Sequence, residues 1–319
     1  MVGLSLALLV LVFAYARVRE PGEATMTTLK AGSAGRPVFA YAVSPPADRP
    51  FRPRGAAFSG GKVFVADSEG ARIAILDMTR GQDVELAFIP VAPDRPAGKL
   101  PRAPQPTSVV VGSDGVLLAA DPANGRIWRL TQDGVLLGAF PPENERLRSK
   151  LGEPVGLALS GEELYVTDVK DQTVKVYTIS GRFLREFGAP GVLPGRLSYA
   201  NGLAVSADGR TVYVADSNNR RVQVFGSDGA PQAVIKTTGN PEGMGLPRAL
   251  GFDRFGRLHV VDTFAQAVYV YDARNQLVLT YGTGPRSEER LNLPEGIALS
   301  GDTIVVSDGG NRRLVIYRY

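Results

Sequence analysis

The feature that most constrains this chain is a pattern that recurs six times. Each copy is an apolar run that ends in an aspartate, then a short polar loop and a second apolar run, as in VYVADSNNRRVQVF. Consecutive copies of the aspartate lie 46 to 54 residues apart. The aspartates are Asp67, Asp121, Asp168, Asp216, Asp262 and Asp308. A period near ~45 residues is typical of one four-stranded blade of a β-propeller. The pattern therefore predicts an all-β fold, a six-bladed β-propeller.

The fourth repeat shows how one copy divides into strands. Its predicted inner, second, third and outer strands are residues 202–205, 211–215, 221–225 and 231–236. Asp-Gly and Gly-rich pairs between the strands favour tight hairpin turns, and β-branched residues fill the strands themselves. Small residues recur in the inner strands, where we expect crowding at the axis to leave little room for a Cβ.

The two ends of the repeat region predict how the ring closes. The sixth repeat stops at Tyr319, after its third strand, and so lacks an outer strand. Residues 36–43 (RPVFAYAV) have the pattern of an outer strand without a blade. We expect this segment to pair with residues 314–319, which would remove exposed sheet edges.

The repeat also resembles a known family. The inner-strand pattern Pro-x-Gly-[Leu/Ile]-Ala and the loop pattern Asp-x-x-Asn-x-Arg-[Val/Ile] resemble the NHL repeat, most clearly at residues 294–298, 308–314 and 216–222. The resemblance extends over residues 36–319, although Thr173 and Ala267 replace the loop arginine in the third and fifth repeats. It implies partner recognition through the loops at one face of the propeller.

The first residues form a separate region. Residues 2–16 carry no charge, and as a helix they would extend about 22 Å, which is short for a bilayer core of ~30 Å. We interpret residues 1–16 as a membrane anchor or a secretory signal, because Ala14-Tyr15-Ala16 has the form of a cleavage site. The composition of residues 17–35 predicts a flexible linker. It leads to the propeller at 36–319, and we expect the propeller to lie outside the cytoplasm.

Composition limits the chemistry of the chain. There is no cysteine, which excludes disulfides and thiolate chemistry. The one histidine, His259, falls in a predicted strand, where we expect a packed or surface strand residue rather than a ligand or a base. It cannot supply the several zinc-binding histidines of the amidating lyases that share this fold. The net charge of +4 is weak evidence for nucleic acid, and the basic stripe and stacking aromatics of an RNA-binding surface are not visible. No cofactor is predicted.

Two groups of residues are predicted at the loop face. The first follows the proline position of each inner strand and differs between repeats: Arg54, Thr107, Val155, Asn201, Arg248 and Glu295. The second is the loop arginines: Arg72, Arg126, Arg221 and Arg313. One interpretation is a partner-binding ring that holds acidic groups by bidentate arginine contacts. In the other interpretation, each loop aspartate caps its own loop and pairs with an arginine of the same or the next blade.

These observations favour a noncatalytic binding or scaffold module that recognises a protein or peptide. The alternative is a calcium-dependent hydrolase or lactonase of the six-bladed type, with Asn201 and Glu295 as metal ligands. Arg54 and Arg248 at equivalent positions would oppose a dication there.

Overall fold

The computed structural model describes residues 35–80, 86–90, 102–142, 151–236 and 243–319. Within these residues the chain forms six antiparallel sheets of four strands each. Residues Arg36–Tyr319 are one compact unit. The six-bladed propeller predicted from the repeat is confirmed.

The strands follow the predicted repeat. Blade one contains β2 (Pro53–Ser59), β3 (Lys62–Asp67), β4 (Arg72–Asp77) and β5 (Leu86–Pro90), and blade two contains β6 (Ser108–Val111), β7 (Leu117–Asp121), β8 (Arg126–Leu130) and β9 (Leu136–Phe140). Blade three contains β10 (Pro154–Ser160), β11 (Glu163–Asp168), β12 (Thr173–Thr178) and β13 (Phe183–Phe187), and blade four contains β14 (Ala200–Val205), β15 (Thr211–Asp216), β16 (Arg221–Gly226) and β17 (Pro231–Ile235). Blade five contains β18 (Pro247–Phe252), β19 (Leu258–Asp262), β20 (Ala267–Tyr271) and β21 (Leu277–Tyr281). Blade six contains β22 (Pro294–Ser300), β23 (Thr303–Asp308), β24 (Arg313–Arg318) and the N-terminal strand β1 (Val38–Val43).

Ring closure is as predicted. Strand β1 pairs antiparallel with β24, from Val38 opposite Arg318 to Val43 opposite Leu314. The register shifts between Phe39 and Tyr41, as at a β-bulge. Because the first strand completes the last blade, the edge of β24 is covered.

The core lies between neighbouring blades. Each sheet packs against a sheet on either side, so both faces of its central strands are buried. In β23, for example, Ile304, Val305 and Val306 are all fully buried in succession. This double burial explains why the second strands are continuous apolar runs rather than alternating ones.

Glycine in the inner strands lets adjacent blades approach each other. A Cβ placed on Gly296 would lie 2.0 Å from the backbone oxygen of Arg54 in the next blade, and a Cβ on Gly202 would lie 2.4 Å from that of Arg248. These distances are far below contact distance. The predicted crowding of the inner strands is confirmed. It comes from the backbone of the neighbouring inner strand.

The predicted helix at residues 1–16, and the predicted linker up to residue 34, lie outside the described residues. In the part of the chain that is described, no helix has the length and apolar character needed to cross a bilayer. The helical segments there are 3₁₀ turns of three residues: Met78–Arg80, Pro122–Asn124, Ser217–Asn219, Ser287–Glu289 and Gly309–Asn311.

Candidate functional site

All inner strands begin at one face of the propeller, which we call the loop face. The first residue of an inner strand pairs with the aspartate that ends the second strand, as Pro53 does with Asp67 and Pro294 with Asp308. The segment entering each inner strand and the loop joining the second and third strands therefore share this face. The hairpins between inner and second strands lie at the opposite face.

The six repeat aspartates hold the loop face together. Each is fully buried, and each accepts a hydrogen bond from a backbone N–H of the segment that enters the inner strand of its own blade. The N–H donors, in blade order, are those of Arg52, Gln105, Glu153, Ser198, Leu246 and Asn292, at 2.6–3.0 Å. Each aspartate therefore connects two loops of its own blade by hydrogen bonds, and its buried carboxylate is not available to a partner.

Three of the four loop arginines also act within their own blade. Arg72, Arg221 and Arg313 each donate Nε to the aspartate of the same blade at 2.7 Å. Arg126 instead lies over the ring of Trp128, 5.5 Å from its centroid. For the three paired arginines, the contacts match the interpretation in which aspartate and arginine stabilise their own loop.

The third strands of blades two and three supply partners that the motif did not reveal. Trp128 is buried in the core and donates its indole N–H to Asp121 at 2.9 Å. Nζ of Lys175 lies 2.9 Å from Asp168. This lysine therefore takes the role of the loop arginine, whose position in blade three is occupied by Thr173. Trp128 and Lys175 both follow the aspartate by seven residues, a spacing that would have predicted them.

In blade five, the described residues place no cationic side chain on the repeat aspartate, Asp262. Asp262 accepts backbone N–H bonds from Gly245, Leu246 and Ala265 at 2.6–3.0 Å. Charge-assisted bonds to three N–H groups are enough to satisfy a buried carboxylate. The motif departure at Ala267 therefore leaves the loop architecture unchanged.

The residues that follow the inner-strand proline position do come together. They line a cavity of about 90 Å³ at the start of the inner strands, which we call the axial recess: Arg54, Thr107, Val155, Asn201, Arg248 and Glu295. The deeper wall is apolar and includes Ala56, Leu157, Leu203 and Ile297. The predicted ring is thus a single recess, though its role in binding stays a prediction.

Glu295 is held by arginines of blade one. Its Oε1 accepts bonds from Nε and Nη2 of Arg52 at 3.2 and 2.9 Å, and its Oε2 lies 2.9 Å from Nη1 of Arg54. Arg54 also donates Nε to Ser68 at 3.1 Å. Both carboxylate oxygens are therefore within ion-pair distance of a guanidinium group, and among the described residues only Oε1 also accepts hydrogen bonds.

Arg248 contacts a neutral partner. Its Nη1 donates to Oδ1 of Asn201 at 3.1 Å, and its buried Nε has no hydrogen-bond partner among the described residues. Burial lowers the pKa of Arg54, and Arg248 acts in the same direction while Glu295 opposes it. Arg54 and Arg248 against the single carboxylate of Glu295 leave the lining of the recess with a positive balance.

The arrangement of donors does not suit a calcium ion. The oxygens of Glu295 face Arg52 and Arg54, and Oδ1 of Asn201 faces Arg248. A dication at this place would meet three guanidinium groups. Within the described ranges, no group of three or more His, Cys, Asp or Glu side chains is placed to hold a metal ion.

His259 lies in a strand, as predicted, and of the two expected positions the structure shows the packed one. It is fully buried on β19, with Nδ1 2.9 Å from the hydroxyl of Tyr281 and Nε2 3.2 Å from Asp253. The hydroxyl of Tyr319 donates to the same Asp253 oxygen at 2.7 Å. Burial lowers the pKa of His259, partly offset by Asp253. The cluster joins the end of the chain to the hairpin of blade five at the opposite face.

Exposed apolar side chains accompany the recess on the loop face. Tyr199 and Leu293 directly precede inner strands, and Phe264 lies in the loop after β19; they are 43%, 41% and 65% exposed. Val192 and Leu193, in the segment leading to β14, are also exposed. The repeat motif does not single out these residues, although Phe264 occupies a loop position that holds Glu69 and Lys170 in other blades.

Comparison with known sequences supports the repeat assignment. A family model described as NHL repeat matches residues 197–225, which lie in blade four. The protein named brain tumor from Drosophila melanogaster is 24% identical over 144 residues, which is 44% of this chain. The match spans only 14% of that protein's length.

Solved structures share the fold. A catalytically inactive variant of virginiamycin B lyase from Staphylococcus aureus, solved with quinupristin, aligns with a TM-score of 0.60 at 15% identity, over 87% of this chain and 98% of the lyase. A protein from Bacteroides thetaiotaomicron aligns with a TM-score of 0.63 at 15% identity, over 87% of this chain and 72% of the other. At such identities the likeness establishes the fold alone.

Proposed function

We propose that this chain, an NHL-repeat six-bladed β-propeller, is a noncatalytic binding module that recognises a protein or peptide partner through its loop face. The observation that supports this is the combination of exposed Tyr199, Phe264 and Leu293 with a positively charged axial recess on one face. Interfaces typically join apolar anchor residues to a few charged contacts.

The recess favours binding over catalysis. The hydroxyl of Thr107 donates to the backbone oxygen of Val155 at 2.8 Å, and that of Ser108 accepts from the N–H of Leu157 at 3.2 Å. Neither hydroxyl has a histidine or carboxylate within hydrogen-bond reach among the described contacts, as a nucleophile would need. In the similar lyase structure, the inactive variant lacks one histidine. The single histidine of this chain is buried away from the recess.

The experiment that tests this function is site-specific photocrosslinking in the full chain. A photoreactive phenylalanine analogue at Phe264 should crosslink the partner in cells that express the protein. Phe255 is the matched control, because it is also an exposed phenylalanine, 52% against 65%, but lies in the hairpin at the opposite face. Equal crosslinking at both positions, or crosslinking at Phe255 alone, would contradict recognition by the loop face.

We also propose that residues 1–16 anchor the chain in a membrane or direct its export, so that the propeller lies outside the cytoplasm. The uncharged run at 2–16 and the Ala14-Tyr15-Ala16 sequence support this proposal. When the full chain is expressed in bacteria, protease added to spheroplasts should digest the propeller. Protection in spheroplasts, with digestion after lysis, would contradict it.

A further inference from the structure

We infer that the axial recess binds a carboxylate side chain, glutamate or aspartate, of the partner, and that Arg248 and Arg54 hold it. This inference rests on the proposed function and names the chemical group that the recess recognises. It follows from the unequal way in which the charges of the recess are paired.

The polar residues of the recess form one arc around the axis. Arg54 of blade one, Glu295 of blade six, Arg248 of blade five and Asn201 of blade four are consecutive. Glu295 lies between two arginines of this arc but contacts only the blade-one side, through Arg54 and Arg52. In the described part of the chain, Arg248 makes no ion pair and its only side-chain hydrogen bond is to the amide of Asn201.

The orientation of the Asn201 side chain is fixed by its burial and by two hydrogen bonds. It is 2% exposed, and its Nδ2 donates to the hydroxyl of Ser217 at 2.6 Å and to the backbone oxygen of Tyr199 at 3.3 Å. These two bonds turn Oδ1 towards Arg248. Arg248 is thereby held at the recess while its buried Nε remains without an acceptor. A buried donor without a partner is unfavourable, and a carboxylate in the recess would give this guanidinium the counter-charge that the described residues do not provide.

The shape and donors of the recess favour a carboxylate over a phosphate. A planar guanidinium matches the two oxygens of a carboxylate, and the apolar wall at Leu157, Leu203 and Ile297 offers no further polar side chains to a larger anion. A phosphate would need donors for three oxygens. The backbone N–H groups that would provide them are already used, since Gly55 donates to the oxygen of Thr107 and Gly156 to the hydroxyl of Thr167, at 3.0 and 2.8 Å.

The test measures binding of a small probe to the full chain by calorimetry or NMR. The probe is the blocked tripeptide acetyl-Gly-Glu-Gly-amide, compared with acetyl-Gly-Gln-Gly-amide and with inorganic phosphate. We expect the glutamyl peptide to bind at least about tenfold more tightly than the glutaminyl peptide, which is roughly 1.4 kcal/mol. Equal binding of the two peptides, or tighter binding of phosphate, would overturn the inference.

Variants assign the probe to the recess. Arg248→Gln should weaken glutamyl binding at least about tenfold, whereas Arg274→Gln, in a hairpin at the opposite face, should leave it unchanged. Asn201→Asp is a second, nearly isosteric variant that places a carboxylate of the chain itself on Arg248. It should also weaken the probe about tenfold. Full affinity in both recess variants would overturn the inference.

Crosslinking at Phe264 separates this inference from the proposed function. If the Arg248→Gln protein captures the partner through Phe264 as strongly as the unaltered protein does, the loop face binds the partner and the carboxylate inference fails. If capture through Phe264 falls at least about tenfold, the inference is supported. If the unaltered protein does not crosslink at Phe264, the proposed function itself fails.

Discussion

Nη1 of Arg54 lies 2.9 Å from Oε2 of Glu295, and this ion pair joins the first blade of the propeller to the sixth. A second ion pair crosses the same seam at its edge, between Nη2 of Arg312 and Oε2 of Glu69 at 2.9 Å. This seam is the interface between the last blade and the first blade. Charge pairing across it adds to the strand pairing of β1 with β24, which closes the ring within blade six. The Arg54–Glu295 pair also sets the charge of the axial recess.

Replacing Glu295 by glutamine should lower the free energy of unfolding by about 1–3 kcal/mol, because a buried carboxylate that contacts two arginines is lost. Urea denaturation measures this change. Glu288→Gln is the control, since that side chain is 51% exposed and lies 3.8 Å from Arg286, and exposed contacts of this kind contribute little to stability. The same loss in both variants would show that the seam pair does not stabilise the ring.

The repeat aspartates should differ in their contribution to stability. Asp216→Ala leaves Arg221 buried without its carboxylate and should cost about 3–5 kcal/mol. Asp121→Ala leaves the neutral donors of Trp128 and Asn124 and should cost less, about 1–3 kcal/mol, because no buried cation loses its partner. Chemical denaturation of the two variants gives the comparison. A larger loss for Asp121→Ala would contradict the assigned roles.

An inner-strand glycine should tolerate a methyl group only where the neighbour can move. In Gly296→Ala the Cβ meets the backbone oxygen of Arg54, whereas in Gly251→Ala it meets the Cδ1 atom of Leu299 at 2.4 Å. We expect Gly296→Ala to cost about 3 kcal/mol, the upper part of the range for overpacking, and Gly251→Ala about 1 kcal/mol. Thermal unfolding followed by circular dichroism ranks the two. The reverse order would show that the inner strands can separate.

Two tyrosines near the end of the chain should respond in opposite directions to loss of the hydroxyl. Tyr319→Phe removes a hydrogen bond to Asp253 at 2.7 Å and should cost about 1.5–3 kcal/mol, as for a bond to a charged group. The buried hydroxyl of Tyr317 has no partner among the described residues, so Tyr317→Phe should be neutral or slightly stabilising. Differential scanning calorimetry of both variants is the measurement. A stability loss in Tyr317→Phe would mean that its hydroxyl has a partner.

His259 should make the propeller less stable as the pH falls. Its pKa in the folded state is lowered, chiefly by burial, so below about pH 6.5 the unfolded chain binds a proton that the folded chain does not. Stability should then decrease by up to about 1.4 kcal/mol per pH unit. The pKa of Asp253, which is also lowered, affects stability only at lower pH, where an ordinary aspartate titrates near ~3.9. Burial raises the pKa of Tyr319, so its hydroxyl stays uncharged in this window.

The control for the pH effect is His259→Gln. Since His259 is the only histidine, this variant has no histidine-linked proton uptake. Urea midpoints between pH 7 and pH 5 should therefore change less in the variant than in the unaltered protein. Parallel pH profiles for the two proteins would contradict the assignment.

Several features of the fold were predictable because they depend on near neighbours in the chain. The Asp-Gly turn at residues 208–209 and the β-branched run after it identify a hairpin from about ten residues, and β14 and β15 form there. Closure by β1 was predictable because one outer strand was missing and one was left over. The grouping of Arg54 with Arg248 followed, since they occupy equivalent positions of a ring.

The partners of the charged residues were predictable only in part. The loop motif placed Arg221 near Asp216, five residues away, but it did not reveal that Lys175 replaces the missing arginine of blade three. Phe264 and Tyr199 were not predicted because they belong to no charged or metal-binding pattern of the sequence. Their exposure depends on where the loops stand after the blades have packed.

The sequence alone determined the six blades, their strand order and the set of residues at the axis, because a hydrophobic period and turn residues act over short distances. Only the tertiary structure decided which of the axial charges are paired. Arg52 meets Glu295 across 243 residues and Arg248 meets Asn201 across 47, and no local pattern encodes such contacts. The charge left on Arg248 arises from how the closed ring orients these side chains.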